Sequence, residues 1–268
     1  MERKRGMLLL ILLTVLALSC QTVPITGREQ LSFVPASQLL AMSFGQYRDF
    51  LAKHRVVEQG EQAAMVKRAG QRIQGAVERY FSGKGLSKRL EGYQWEFHLV
   101  DEKEVNAWCM PGGKVVVYTG ILPVTGDENG LAVVMGHEIA HAVANHGGER
   151  ISHALLVEMG GLTLDAALER NPKRTNDLFL GAYGLGAQVG FLLPYSRVHE
   201  SESDHLGLIF MAMAGYDPRA AVGFWERMRA SKDGAAPPEL LSSHPADARR
   251  IENIRKLLPE AMSYYRPQ

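Results

Sequence analysis

Cysteine is nearly absent from this chain: Cys20 and Cys109 are the two in 268 residues, which excludes a disulfide-built scaffold. An excess of either charge is lacking too. Lys and Arg number 30 against 29 Asp and Glu, for a formal net of +1, and no basic block is long enough to suggest a nucleic-acid partner. Long apolar runs are missing as well. Met7 to Leu18 and Leu178 to Leu193 both fall short of the roughly 20 residues that span a bilayer. The second carries Gly181, Gly184, Gly186 and Gly190, which suit close packing, and reads as a buried core helix rather than a membrane hairpin. No internal repeat is visible.

The N-terminus reads as an export signal. Arg3, Lys4 and Arg5 precede the apolar run, which ends at Leu18-Ser19-Cys20, a small residue followed by Cys. This resembles a bacterial lipoprotein signal over residues 1–19, with Cys20 lipidated and residues 20–34 a lipid-anchored tether that packs little. Ala17 stands where the lipobox prefers Leu, and an uncleaved anchor or ordinary signal peptide is the alternative. With Cys20 modified, Cys109 remains, a small apolar side chain beside the site rather than a reactive thiol. Loss of Glu2, Arg3, Lys4 and Arg5 with the signal would leave a mature chain near −1.

The pentapeptide His137-Glu138-Ile139-Ala140-His141 carries the chemistry. On a helix, residues i and i+4 share a face, so the two imidazoles can hold one metal ion and the adjacent Glu138 can reach a water there. The context supports it. Lys114 to Thr119 is a β-branched run that reads as a strand, residues 120–126 supply a turn, and Asp127 or Glu128 can start a helix with Leu131, Val134, Met135, Ile139 and Val143 on its apolar stripe. Upstream, Pro35 to Lys53 and Glu58 to Phe81 have helical spacing, Trp95 to Val100 alternates as a half-buried strand, and Asn106 to Gly113 reads as a loop. Helices, a small sheet, then helices again make an α+β domain over residues 35–268.

Two histidines leave the metal short of a third protein ligand. His146 follows His141 by five residues, about 140° away on a continuous helix, and reads as a capping or surface histidine unless the helix ends first. Ala144 and Gly147 stand where a metzincin needs Gly and His, which excludes that clan. Glu200 and Asp204, at i and i+4 with Arg197 a turn earlier, offer a carboxylate ligand and a hydrogen-bond acceptor for a ligand imidazole, whereas Glu202 points away. A solvated charge cluster is the bland alternative.

Together with Ser196-Arg197-x-x-Glu200-x-x-x-Asp204, these motifs are followed by Ala214-Gly215-Tyr216-Asp217-Pro218 and by Ser243-His244-Pro245 with Arg250-Ile251. The ordered set resembles the gluzincin family of the CaaX prenyl proteases, the BepA, LoiP and YcaL proteases and the Oma-type proteases. Thr22 to Arg28, Asn106 and Pro111-Gly112-Gly113 resemble its bacterial lipoprotein members. The resemblance implies a minigluzincin-like zincin domain, mostly helical, whose small sheet has its edge strand just before the HExxH helix. It implies one zinc ion on His137, His141 and Glu200, with Glu138 as acid/base. Asp204 falls on an acidic position assigned either as a proton donor or, the reading preferred here, as the carboxylate that orients a ligand imidazole; His244 falls on a histidine lying over the metal that steadies the oxyanion or plugs the resting site, and Arg250 on an arginine associated with substrate or oxyanion contacts. Trp108-Cys109 departs from smaller apolar residues in relatives.

The implied activity is an endopeptidase for unfolded or misassembled envelope proteins, facing the periplasm and anchored by lipid to the outer membrane, with an extended substrate held along Lys114 to Thr119. A chaperone or assembly factor working with outer-membrane assembly machinery, its proteolysis minor or latched by His244, is the competing reading.

Overall fold

The computed structural model describes residues 20–24, 26–159, 172–183, 196–231, 240, 244 and 248–267. The expected signal segment lies outside them, as do most of the apolar run after Tyr183 and both neighbours of His244.

In chain order the strands are β1 (Cys20–Thr22), β2 (Glu29–Leu31), β3 (Val56–Val57), β4 (Glu96–Val100), β5 (Ala107–Met110) and β6 (Lys114–Tyr118). The helices are α1 (Ala36–Lys53), α2 (Glu61–Gly83), the single turn α3 (Leu122–Thr125), α4 (Glu128–Val143), α5 (His146–Met159), α6 (Pro172–Ala182), α7 (Arg197–Met213), α8 (Ala220–Ala230) and α9 (Ala248–Tyr264).

Four strands form one sheet in the order β3-β4-β6-β5, with β4 and β6 parallel and the other pairs antiparallel. Because side chains alternate across a strand, Val115 and Val117 join Leu99, Ala107 and Cys109 on the face covered by α2 and α4, while Val116 and Tyr118 join Val100, Trp108 and Met110 on the face covered by α1 and α6. Cover on both faces explains why β6 reads as an unbroken Val-Val-Val-Tyr run rather than an alternating one. It also corrects two expectations. The strand preceding the HExxH helix is interior, and the edge on that side is β5, which lies in the stretch read as a loop. Pro, Gly and Gly signalled only the three-residue hairpin between them, where Gly112 and Gly113 adopt φ of 83° and 78°, a conformation side chains resist.

The α+β class holds, and helix α4 crosses the middle of the molecule. Asp127 caps it, its carboxylate accepting from Gly130 N at 2.8 Å, and every residue from Gly130 to Val143 is buried. It packs against β5 on one side and α7 on the other. Helix α7 starts where Ser196 caps it, accepting from His199 N at 3.2 Å. Both α1 and α2 fall where helical spacing placed them. No helix among the described residues is long and apolar enough to cross a membrane.

The segment after Cys20 departs from the loose tether expected. Strands β1 and β2 pair antiparallel, Val23 is 1% exposed, and Gln30 is buried with its amide donating to Ala144 O at 2.8 Å.

Candidate metal centre

Helix α4 presents His137 and His141 one turn apart, and helix α7 crosses it so that Glu200 and Asp204 face them. His137 Nε2 and His141 Nε2 lie 3.0 Å apart, with Glu200 oxygens 3.5 and 3.4 Å from them. A tetrahedral ion with bonds of about 2.0–2.1 Å separates its ligand atoms by roughly 3.4 Å, close to the distance of each imidazole nitrogen from its nearer Glu200 oxygen, Oε2 for His137 and Oε1 for His141. Two imidazole nitrogens and a carboxylate oxygen are also a donor set that zinc takes. His244 supplies a fourth group, Nδ1 lying 2.8 Å from Glu200 Oε1 and 3.2 Å from His137 Nε2, and the four together can hold one ion. All four are buried.

Around the donors, each predicted residue has a definite place. Asp204 Oδ1 is 3.0 Å from His137 Nδ1, the nitrogen turned away from the cluster, where a carboxylate fixes the ring's tautomer. The Arg250 guanidinium spans both carboxylates, 2.7 Å from Asp204 Oδ1 and 2.7 Å from Glu200 Oε2, and lies 3.4 Å over the Trp225 ring. Arg250 is thus buried beside the donors and paired with both acids. Arg197 is exposed at the start of α7, off the face shared by Glu200 and Asp204.

Glu138 is 3% exposed, and its Oε1 has no hydrogen-bond partner among the described residues; His244 Nε2 stands 3.7 Å away. Burial pushes its carboxyl up to about 7, with Glu200 adding to the shift and His244 opposing it. Burial would raise Glu200 likewise, but the charges of His244 and Arg250 and hydrogen bonds from His137 and His141 hold it well below the ordinary carboxylate range. Burial pushes His141 well down. Cys109 is buried on the sheet face that α4 covers, and burial drives its thiol well up, which disfavours the thiolate.

His146 is neither a cap nor a surface residue. Helix α4 stops at Val143, Asn145 takes φ of 60°, and a new helix begins at His146, so the 140° offset of a continuous helix does not apply. The His146 ring is fully buried, its Nδ1 3.0 Å from His141 Nδ1 and its Nε2 3.1 Å from Glu202 Oε2. Burial lowers it to about 4, which keeps it neutral. Glu202 does point away from the donors, yet it is buried in a network with Arg28 and Thr26 that sequence spacing did not reveal.

A cleft of about 590 Å³ opens beyond the C-terminal end of α4, between Leu39, Leu40, Tyr93, Pro111 and Val143. None of the four donor groups lines it.

Comparison with known proteins agrees with this geometry. The chain is 37% identical over 184 residues to the mitochondrial metalloendopeptidase OMA1 of Saccharomyces cerevisiae, covering 66% of this chain and 50% of that protein. It is 30% identical over 247 residues to the mitochondrial metalloendopeptidase OMA1 of Bos taurus, covering 89% and 46%. It is 29% identical over 180 residues to the beta-barrel assembly-enhancing protease of Yersinia pestis, covering 63% and 37%. The chain thus spans about half the length of the first of these relatives and less of the last. Peptidase family M48, whose metalloproteases use zinc, matches residues 67–258. That span takes in all four donor groups and more than half of the sequence, and the chain belongs to peptidase family M48.

Proposed function

We propose that this chain is a zinc-dependent endopeptidase acting on unfolded or extended segments of cell-envelope proteins, with His137, His141 and Glu200 as its ligands and Glu138 as its acid/base. The observation that carries the reading is Glu138: a buried carboxylate, unpartnered at Oε1 among the described residues, beside a triangle of N, N and O donors. A purely structural carboxylate in such a place would be paired.

Zinc bound there supplies Lewis acidity, polarising a carbonyl oxygen and acidifying a water toward about pKa 7. Glu138 takes the water's proton and passes it to the leaving amine, and a carboxyl raised to about 7 is matched to proton transfer near neutral pH. Asp204 keeps the Nδ1 proton of His137 in place, and Arg250 pairs with both Asp204 and Glu200 in a buried setting and helps to hold Glu200 ionised. His244, with Nδ1 2.8 Å from Glu200 Oε1, stands among the donors, where its ring would either plug the resting site or steady the oxyanion.

The strand for an extended substrate is β5 rather than β6, because no described strand pairs with its outer side. The similarity to a beta-barrel assembly-enhancing protease supports an envelope role, and the sequence up to Cys20 supports lipid anchoring with the domain facing the periplasm. The closed position of His244 favours one competing reading, a folding factor with latched proteolysis.

Glu138→Gln separates the two. It should lower cleavage of an unfolded substrate such as casein by about 10²–10⁴-fold while one zinc per chain is retained. Purified protein that never cleaves such a substrate, yet suppresses its aggregation equally well with and without the change, would overturn the peptidase reading.

A further inference from the structure

The N-terminal segment reaches the metal centre through a line of side chains. Between β1 and β2 the chain folds back on itself, Val23 N donating to Arg28 O at 2.7 Å and Gly27 N to Val23 O at 3.0 Å. This aims Arg28 inward. Its Nη1 and Nη2 donate to the two oxygens of Glu149 at 2.8 and 2.7 Å, while its Nε donates to Glu202 at 2.9 Å. Thr26 Oγ1 donates to Glu202 Oε1 at 2.6 Å. Glu202 Oε2 is the partner of His146 Nε2, and His146 Nδ1 is the partner of His141 Nδ1, with Ser203 Oγ 3.3 Å from that same His146 nitrogen. Both carboxylates are nearly inaccessible, 6–7% exposed at the side chain.

Proton placement along this line follows from the metal-binding form of His141. If His141 gives its Nε2 lone pair to a metal, its proton sits on Nδ1 and needs an acceptor there. That acceptor is His146 Nδ1, so the His146 proton is on Nε2 and goes to Glu202, whose charge Arg28 balances. We propose that the strap of residues 22–31 is a working part of the metal centre: Arg28, acting through Glu202 and His146, fixes His141 in its metal-binding tautomer and orientation. These three are positioning residues, and the inference rests on His141 being a ligand. The coupling runs both ways, so a bound metal should tighten the strap by as much as the strap tightens the metal.

Zinc dissociation constants from chelator competition, measured on the whole chain, test it without reference to cleavage. His146→Leu keeps volume and removes the acceptor, and should raise the constant about 10–100-fold. His146→Asn, which restores an oxygen near the Nδ1 position, should recover part of the loss. Arg28→Ala should raise the constant about tenfold alone and add nothing in the His146→Leu background, since both break one line. Zinc should slow amide exchange of residues 22–31 in the native chain and fail to do so in His146→Leu. Equal zinc constants for native and His146→Leu chains of matching circular dichroism, or additive effects of the two changes, would overturn the relay and leave the peptidase reading intact. If His146→Leu does not fold, Glu202→Gln takes its place with the same expected direction. A native chain that binds no zinc would remove both readings together.

Discussion

Arg250 sets the electrostatics beneath the cluster. It is 6% exposed, stacked over Trp225, and its planar fork meets Asp204 through two nitrogens at 2.9 and 2.7 Å while a third reaches Glu200. Two carboxylates and one guanidinium leave the cluster short of positive charge until a cation joins it, which is what a dication site requires. Arg250→Ala would strand two buried acids, at a cost of about 3–5 kcal/mol. Arg250→Lys should recover little of this, because a point charge cannot meet both carboxylates and cover the indole at once. Thermal unfolding of the metal-free chain checks this, and a lysine variant as stable as the native one would refute it. The closeness of His137, His141, Glu200 and Asp204 was legible because ligand chemistry demands particular types at particular helical spacings, and the four lie within two short motifs. The burial of Arg250 was not, since a resemblance gives the position and not the direction in which the side chain points.

Among the helices, everything depends on how closely α4 and α7 cross. Gly136 and Gly207 meet backbone to backbone at the crossing, and a methyl placed on Gly207 would stand 2.9 Å from His137 N and 3.0 Å from Gly136 C. Neither neighbour is a flexible side chain able to step aside. Gly207 lies seven residues after Glu200 and three after Asp204, on the same stripe of α7, so moving the helix at this point moves both acids away from His137. Gly207→Ala should therefore cost about 1–3 kcal/mol of stability and weaken zinc binding as well, whereas a substitution on an exposed face of α7 should do neither. Unfolding and metal titration on the same variant check the pair, and loss of stability with unchanged zinc affinity would show that the helices separate without moving the ligands. Periodicity could locate α1, α2, β4, β6 and the start of α4, because those segments alternate or repeat with caps at their ends. It could not locate β5, whose four residues have both faces covered and whose Pro-Gly-Gly turn dominated the reading, nor the break after Val143, where a single Asn in a left-handed conformation redirects the chain.

Across the whole molecule, residues far apart in the sequence share one ion-pair network, and its partners explain why no local signal announced it. Arg28 bonds Glu149 and Glu202, 121 and 174 residues away, and thereby clamps the N-terminal strap to α5 and α7 together. A Pro- and Gly-bearing segment after a signal reads as a tether, and only the buried acids at the far end turn it into structure. The clamp has a pH signature. Burial would raise the Glu149 carboxyl, but hydrogen bonds from Arg28 and His199 outweigh it and bring it from 4.5 down to about 2. A carboxyl depressed in the folded state gives stability that is fully present above its unfolded value and is lost as pH falls toward the folded one. Glu149 should thus contribute on the order of 2–3 kcal/mol at neutral pH, fading between about pH 5 and pH 2. Glu149→Gln should melt at a lower temperature at pH 7, and the gap from the native chain should close progressively over that acid range. A gap that stays constant from pH 7 to pH 3 would mean that Glu149 acts through packing rather than charge, and that the clamp holds by shape alone.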